Sequence, residues 1–202
     1  MTAPFILGLD ISKTCTGICF GQVGAVPKFA SIKSSGVDDG VALCRLGEWL
    51  IDFPKINGRP DAVFFEGQIN MAAFMGRYDE EKGKVSMTSS PDITITLAKL
   101  VGVVEFICGM KKLRCESMTV NTVRKAFLGN GGLKKEVAKP AAKRLCHALG
   151  WEPSNTDESD AGAVWYAGGL RIAPQKTQII TPMMQSAAIA GTARRTPSGA
   201  LL

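Results

Sequence analysis

The sequence predicts an α/β fold in which a mixed β-sheet is flanked by helices. Its opening part holds short apolar runs separated by glycine-containing breaks, whereas the rest alternates strand-like runs with longer helical patterns. The 202 residues, 46% of them hydrophobic, suffice for one good core but are few for two independent domains. We therefore expect one globular domain at residues 1–173, followed by a flexible C-terminal tail at residues 174–202.

Three short apolar runs open the chain, at residues 5–11, 16–23 and 28–33. Consecutive short strands joined by such brief breaks fit an antiparallel meander best. The next segment, residues 41–53, has leucines at near-helical spacing and predicts a helix. Because proline disrupts helical hydrogen bonding, we expect that helix to end at Pro54.

A fourth strand and a long connection come next. Residues 62–66, with the sequence AVFFE, form an apolar run that ends in an acid. Residues 67–90 are polar, rich in glycine, methionine and serine, and too long for an ordinary connection, which indicates a functional or mobile loop. Pro91 or Asp92 opens a helix to Met110 whose apolar residues cover more than one face, so we expect it to pack on two sides.

The second half of the chain predicts one strand and three helices. Pro140 should kink or interrupt the second of these helices. Beyond Pro174 there is no sustained periodicity, and we expect much of this segment to be disordered or to dock on another surface. The predicted elements are a strand at 116–120, a short helix capped by Asn121 that ends before Gly129, a helix at 134–149 and a helix that begins near Thr156.

Positive charge is concentrated in one segment. The chain has a net charge of +6, but residues 111–144 hold ten basic and two acidic residues, a net charge of +8, so the remainder is slightly acidic. Three glycines precede Lys134 and Lys135, and their exposed backbone amides could grip phosphate together with these lysines. The pattern favours a polyanionic partner such as DNA. A solvated basic helix face is the alternative interpretation.

Several classes of protein are disfavoured by composition. The six cysteines form no CxxC pair and there is a single histidine, so a zinc site is not expected. Reduced thiols are typical of the cytoplasm, where we expect this protein. The start of the chain lacks the basic region of a signal peptide, and no uninterrupted apolar stretch reaches the length of a membrane span. We therefore predict no membrane partner.

Acids stand where core elements meet solvent in three separate segments. Asp10 lies within the apolar run FILGLDIS, where an unpaired carboxylate is costly to bury unless it is paired or bound to metal. Glu66 ends the AVFFE strand. Asp157 and Asp160 are three residues apart, so a helix projects both from one face, whereas Glu158 points elsewhere and is expected to be solvated.

Each acid also has an ordinary structural explanation. Backbone amides or Lys13 could satisfy Asp10, and Glu66 could be a common strand-end charge. Asp157 and Asp160 could complement the positive end of a helix dipole. Taken together, the four acids supply hard oxygen ligands for Mg²⁺, or for Mn²⁺ in its place. Two such ions about 4 Å apart can hold a phosphodiester and activate the attacking water.

Four sequence motifs together resemble a known family. They are GLDISKTCTG at the first strand, VFFEGQ at the fourth strand, VRKAFLGNGGLKKEV in the basic segment and DESDA at the last helix. In these motifs the chain, from about residue 5 to residue 170, resembles the RuvC-like Holliday junction resolvases of the RNase H-like superfamily. The resemblance implies an RNase H-like sheet and an endonuclease that resolves four-way junctions by symmetric, metal-dependent hydrolysis.

The resemblance also assigns roles to residues. It implies that Asp10, Glu66, Asp157 and Asp160 are catalytic metal ligands and that the long apolar helix forms a homodimer interface. It places Arg124 and Lys134 near DNA phosphate, with Lys134 on the catalytic side. With the neighbouring basic residues and one aromatic candidate, the expected DNA-binding set is Arg124, Lys125, Lys134, Lys135, Lys139 and Phe74.

The chain departs from the family pattern in three places. GNGGLKKEV is one residue shorter than usual, which leaves the catalytic-side role open between Lys134 and Lys135. The loop after Glu66 is longer than expected and has no obvious junction-inserting aromatic, so Phe74, beside Met71 and Met75, is a candidate by position alone. The tail has no counterpart. These differences suggest a divergent member of the family, and a phage origin is one interpretation of them.

Other functions remain open at this stage. On the same fold, a flap or replication-fork nuclease would differ only in loops and dimer geometry. A non-catalytic junction-binding protein would keep the basic surface without the chemistry. GLDISKTCTG also looks like the phosphate-binding opening of actin-like ATPases, but that fold normally needs a second such half and about twice this length.

Overall fold

Seven strands and six helices are formed by the residues that the structure describes. The computed structural model describes residues 2–67, 77–79, 84–86 and 91–191, with the backbone alone at 77–79, 84–86 and Pro91. The elements are β1 (Phe5–Asp10), β2 (Cys15–Gln22), β3 (Lys28–Lys33), α1 (Asp39–Asn57), β4 (Ala62–Glu66), β5 (Arg77–Asp79), β6 (Lys84–Ser86), α2 (Pro91–Met110), β7 (Arg114–Met118), α3 (Val120–Leu128), α4 (Lys135–Ala148), α5 (Thr156–Ile172) and α6 (Pro182–Ala190).

The central sheet is mixed, as predicted. Its five strands lie in the order β3-β2-β1-β4-β7. The first three form the expected antiparallel meander, and β1, β4 and β7 run parallel. In the parallel pair of β1 and β4, Leu9 lies opposite Phe65. The next residues, Asp10 and Glu66, are the last residues of these adjacent strands and lie at the same edge of the sheet.

Side chains of successive strand residues alternate between two buried layers. One face of the sheet packs with α3, α4, α5 and α6 through residues that include Ile6 and Phe64. The opposite face packs with α1 and α2 through Leu7, Leu9 and Phe65. Asp10 continues the alternation of Ile6 and therefore faces the first of these layers, next to α5. The molecule thus has three layers, with helices on both faces of the sheet.

Two glycines allow α5 to lie directly on the sheet. A Cβ atom at Gly8 would lie 2.6 Å from the backbone nitrogen of Trp165, and one at Gly17 would overlap the carbonyl of Asp157. Gly17 is also the partner of Asp10 in the β1–β2 ladder. This close approach brings the first turn of α5 against the end of β1.

Among the residues that the structure describes, helix α2 packs on one side, which corrects the expectation of two packed sides. Leu100, Val104 and Ile107 are buried in the layer shared with α1, whereas Phe106 is 65% exposed and Met110 is 56% exposed. A long apolar helix can leave one face uncovered when the domain provides a partner for the other face alone. By length and mean hydropathy alone the segment Asp92–Met110 also meets the requirements of a membrane span.

Several predicted boundaries move by a turn or less. Helix α1 continues past Pro54 to Asn57, since a proline in the last turn removes only one backbone hydrogen bond. Helix α4 contains Pro140 and is one continuous helix from Lys135 to Ala148. Thr119, rather than Asn121, caps α3 by accepting a hydrogen bond from the Thr122 backbone N–H at 3.2 Å.

The segment after Pro174 includes a docked helix that its sequence pattern did not predict. Ala188 of α6 is buried, the Gln185 side chain donates a hydrogen bond to the Phe127 carbonyl at 3.2 Å, and Arg144 donates one to the Ala188 carbonyl at 2.7 Å. These are tertiary contacts, which periodicity does not report. Residues 192–202 lie outside the described residues, so the predicted tail beyond α6 stays a prediction.

Candidate metal and DNA site

A cleft of about 290 Å³ opens where β1 and β4 end and α5 begins. All four predicted acids line it, together with basic residues from α3 and α4. The acids come from distant parts of the sequence, and the sheet register and the α5 packing described above bring them together. The lining residues with ionisable side chains are Asp10, Glu66, Arg124, Lys135, Lys139, Asp157 and Asp160.

Three of the acids form a compact group. Asp10, Asp157 and Asp160 each offer one carboxylate oxygen, and these three atoms lie within 4.8 Å of one another. Asp10 is only 5% exposed, whereas the two α5 acids are partly buried. Oxygen donors at this spacing suit a hard divalent cation such as Mg²⁺ or Mn²⁺, and the group contains no sulfur or imidazole ligand.

The group is electrostatically strained. Burial raises the pKa of Asp10 well above its ordinary value, and the charges of Asp160 and Glu66 raise it further. Burial also raises the pKa of Asp160, although the nearby Lys139 charge opposes that shift. A bound cation would relieve both effects, because it would compensate for the lost hydration and for the mutual repulsion.

Glu66 lines the same cleft without joining the compact group. It ends β4, on the strand adjacent to Asp10, and its charge contributes to the raised pKa of Asp10. Among the described residues, three acids thus form a compact group, and Glu66 is a fourth acid on the strand next to Asp10. That arrangement is compatible with one ion at the group and another between Asp10 and Glu66.

Lys139 lies among the acids. Its ammonium is 3.0 Å from Oδ1 of Asp157 and 2.8 Å from Oδ2 of Asp160. Although burial opposes its charge, the acids, led by Asp160, raise the pKa of Lys139 above its ordinary value. The sequence placed Lys139 in the DNA-binding set only, and its contact with two predicted metal ligands was not anticipated. The four-residue spacing from Lys135, another cleft residue, is the available sequence signal, because it puts both lysines on one face of the helix.

Of the other predicted DNA-binding residues, two line the cleft, and the catalytic candidate Lys134 is not among its lining residues. Arg124 and Lys135 line it, and Arg124 also donates a hydrogen bond to the Leu133 carbonyl. Lys134 is the exposed residue before the first turn of α4 and makes no capping hydrogen bond through its side chain. Lys125 is exposed on α3. Phe74, with Met71 and Met75, lies outside the described residues.

Glu158 is not solvated, contrary to the expectation from the sequence. It is 4% exposed and accepts hydrogen bonds from the Ser154 backbone N–H at 2.7 Å and from the Asn155 side chain at 3.2 Å. Asn155 in turn accepts a hydrogen bond from the Glu158 N–H at 2.9 Å. This reciprocal arrangement is close to a capping box, which fixes the start of α5. Asp157 is held in place by this turn.

Sequence reasoning also missed two hydroxyl residues. Ser12 and Thr14 line the cleft on the loop after β1. The Ser12 hydroxyl accepts a hydrogen bond from the Cys15 N–H at 3.1 Å, which stabilises the turn between β1 and β2. Their position two and four residues after Asp10 is the available sequence signal.

Comparison with known proteins gives matches in structure alone. No family model matches the chain, and no curated protein matches it in sequence. A Thermus thermophilus RuvC structure matches with a TM-score of 0.56 and 18% identity, over 83% of this chain and 96% of that one. T. thermophilus RuvC in complex with a Holliday junction substrate matches with a TM-score of 0.63 and 16% identity, over 88% and 99%. The chain therefore has a RuvC-like fold, of the RNase H-like type that its motifs predicted.

Proposed function

We propose that this protein is a divalent-metal-dependent endonuclease that cuts branched DNA, with the four-way junction as its preferred substrate. One observation carries the proposal: a compact group of three carboxylates lies in a cleft that basic side chains border, on a RuvC-like fold. One of the structural matches is a RuvC bound to a Holliday junction substrate. Acids for a metal and cations for phosphate are what such a reaction requires.

The four acids would hold the metal. Asp10, Asp157 and Asp160 would bind one Mg²⁺ ion, and Asp10 with Glu66 would bind another, with Mn²⁺ as a substitute. When bound, such ions polarise a phosphodiester and lower the pKa of a coordinated water. The fold itself would hold the carboxylate oxygens close together. The pairing of β1 with β4 fixes the positions of Asp10 and Glu66, and the cap formed by Asn155 and Glu158 fixes the position of Asp157.

The basic residues would hold the DNA backbone. Arg124 and Lys135 line the cleft. The exposed residues Lys125 and Lys134, each next in sequence to one of these, would add further contacts with the backbone. The first backbone N–H groups of α4 follow Lys134, which provides no side-chain cap, so a phosphate there would meet both a helix N-terminus and lysines. Phe74 remains the proposed aromatic contact with the junction. Lys134 keeps its proposed catalytic-side role, with Lys135 as the alternative.

A homodimer would supply two sites. The exposed apolar residues of α2, which include Ile93, Phe106 and Met110, form the surface that we propose for self-association. A two-fold axis through this surface would place two equivalent clefts on one junction, as paired incisions require. We also propose that the protein is located in the cytoplasm.

The direct test is an incision assay on labelled DNA. The purified protein is incubated with a four-way junction, a fork, a flap and a linear duplex, in Mg²⁺, Mn²⁺ or EDTA. We expect paired, metal-dependent nicks on the junction that disappear in Asp10→Asn. Asp52→Asn is the matched control, because Asp52 is an exposed acid on α1 that pairs with Lys55.

The other outcomes point to other functions. Metal-dependent nicks that favour forks or flaps would keep the site and change the substrate. Junction binding without incision in either metal would indicate a non-catalytic junction-binding protein and would contradict the proposed activity.

A further inference from the structure

We propose that the Lys139 ammonium is the resident counter-ion of the carboxylate group and that a divalent cation must displace it in order to bind. The inference rests on the proposed function, because it takes Asp10, Asp157 and Asp160 as metal ligands. It adds a property that the proposed activity does not require: the lysine and the metal compete for the same oxygen atoms.

The geometry places Lys139 between two of the three ligands. Its ammonium contacts Oδ1 of Asp157 at 3.0 Å and Oδ2 of Asp160 at 2.8 Å, so one charge bridges both carboxylates. The three side chains are each between 20% and 27% exposed, and the contacts are therefore partly shielded from water. Asp157 and Asp160 also supply two of the three oxygens that lie within 4.8 Å of one another.

An ammonium and a metal ion cannot occupy this place together. Mg²⁺ holds its oxygen ligands at about 2.0–2.1 Å, much closer than an N–H···O contact, and so draws the carboxylates inward. Two cations at that separation would also repel each other strongly. Metal binding therefore exchanges a single positive charge for a double one and releases the Lys139 side chain.

We expect the released ammonium to move toward the other basic residues of the cleft. Lys135 lies one helical turn before Lys139 on α4, and both side chains line the cleft together with Arg124. Displaced from the acids, Lys139 joins this basic border, where a phosphate is available in the DNA complex. Metal binding thus adds one positive charge to the surface that faces DNA, which couples metal loading to DNA binding.

The first test measures metal affinity without any reaction. Mn²⁺ is titrated calorimetrically into the DNA-free protein, in the wild type and in Lys139→Met, which keeps an unbranched apolar side chain and removes the charge. Because two partly shielded ion pairs no longer compete, we expect Mn²⁺ to bind on the order of tenfold more tightly in Lys139→Met. Lys139→Arg, which keeps the charge, should stay close to the wild-type affinity.

Lys143→Met is the matched control. Lys143 lies one turn later on the same helix and donates a hydrogen bond to the Ser154 carbonyl at 3.1 Å rather than to a carboxylate of the group. Lys143→Met changes the net charge of the protein by the same amount as Lys139→Met. If the two variants gained Mn²⁺ affinity equally, the gain would be due to net charge alone, and the proposal would be overturned.

The remaining outcomes separate this proposal from the proposed function. If the wild type binds Mn²⁺ and Lys139→Met binds it equally or less tightly, competition by Lys139 is overturned and the metal site stands. If the wild type binds neither Mn²⁺ nor Mg²⁺ while Asp10→Asn retains junction incision, the metal-dependent function itself fails.

A second measurement needs no variant that might fold poorly. Lysine ammonium groups of the wild-type protein are labelled with ¹⁵N and observed by NMR while Mg²⁺ is added. We expect one ammonium resonance, protected by its ion pairs in EDTA, to shift to that of a solvated lysine with the same midpoint as metal binding. Lysine resonances that do not change at saturating Mg²⁺ would contradict the displacement.

Discussion

Asp10 places a carboxylate within an apolar strand, a position that is costly unless something compensates for the charge. Asp10 is nearly buried and faces two further acids, and Lys139 provides the countercharge through Asp157 and Asp160. Competing demands of this kind, in which acids are held together against their repulsion, are typical of functional sites. The cost is therefore visible in the sequence, whereas the groups that compensate for it appear only in the folded chain.

The raised pKa of Asp10 predicts a pH dependence of stability. In the folded protein its carboxyl binds a proton more readily than in the unfolded chain, so this contribution to stability is present below the ordinary aspartate range and is lost as pH rises through the raised value. Asp10→Asn has no carboxyl group to titrate at this position, so it does not lose this stability as pH rises. We therefore expect the variant to gain stability relative to the metal-free wild type as pH increases, measured by urea unfolding in EDTA across pH 4 to 8. A constant difference would contradict the burial argument.

Glu158 provides a second test at the residue scale. Glu158→Ala removes the hydrogen bonds to Ser154 and Asn155 and should lower the free energy of unfolding by about 1–2 kcal/mol. Chemical denaturation measures the loss. Glu152→Ala is the control, because Glu152 is exposed in the preceding loop and should change stability by less than about 0.5 kcal/mol. Equal stability of the two variants would show that the cap contributes nothing.

The limits of sequence reasoning are clear at these residues. Asp157 and Asp160 were predicted to share a face because helical spacing alone determines that. Glu158 was predicted to be solvated because spacing does not reveal that the preceding loop folds back to donate its Ser154 N–H. Lys139 reaches the acids only through the packing of α4 against α5, which no local pattern reports.

At the scale of elements, the site depends on how closely α5 lies on the sheet. Gly8 and Gly17 remove the Cβ atoms that would separate the helix from β1 and β2. As a result, the helix that carries Asp157 and Asp160 begins beside the end of the strand that carries Asp10. The predicted strands and helices were right in kind, but this contact depends on two glycines whose role appears only once the elements are packed.

Gly17→Ala tests that contact. The added methyl group would overlap the Asp157 carbonyl, so we expect the free energy of unfolding to fall by about 1–3 kcal/mol and Mn²⁺ affinity to fall with it. Gly47→Ala is the control: a Cβ there would meet Val103 at 3.6 Å, an ordinary van der Waals distance. Thermal unfolding and calorimetry measure both effects. Unchanged metal affinity in Gly17→Ala would mean that the position of α5 is not critical.

Element boundaries were the weakest part of the prediction. The sequence pattern ended α1 at Pro54 and predicted a kink or a break at Pro140, yet α1 and α4 each continue past their proline. Both helices bury leucines and alanines against the sheet or neighbouring helices, and this packing outweighs the local cost of proline. Helix α6 was missed for the same reason, since its contacts with Phe127 and Arg144 are tertiary.

At the scale of the whole molecule, the described part of the chain presents two surfaces suited to partners. The carboxylate cleft with its basic border lies on one side of the sheet, among α3, α4 and α5. The exposed apolar face of α2 lies on the helix layer at the opposite side. In the proposed assembly α2 joins two copies and each cleft receives one strand of the junction.

Phe106→Asp tests the proposed dimer. Phe106 is exposed in the single chain, so a charge there should leave the fold intact but disrupt self-association, since burying an unpaired carboxylate at an apolar interface is costly. Ile56→Asp is the control, because Ile56 is also exposed and lies on α1. Analytical ultracentrifugation should show monomers for Phe106→Asp and dimers for Ile56→Asp and the wild type. A wild type that is monomeric with and without junction DNA would contradict the α2 interface.

Paired incision is the central claim, and a supercoiled plasmid that extrudes a cruciform tests it most directly. Two coordinated cuts across the junction release linear DNA, whereas a single cut relaxes the cruciform and leaves a nicked circle. With Mg²⁺ we predict linear product for the wild type, nicked circles at most for Phe106→Asp, and neither product for Asp10→Asn. Nicked circles alone from the wild type, or linear product that persists in Asp10→Asn, would contradict the account.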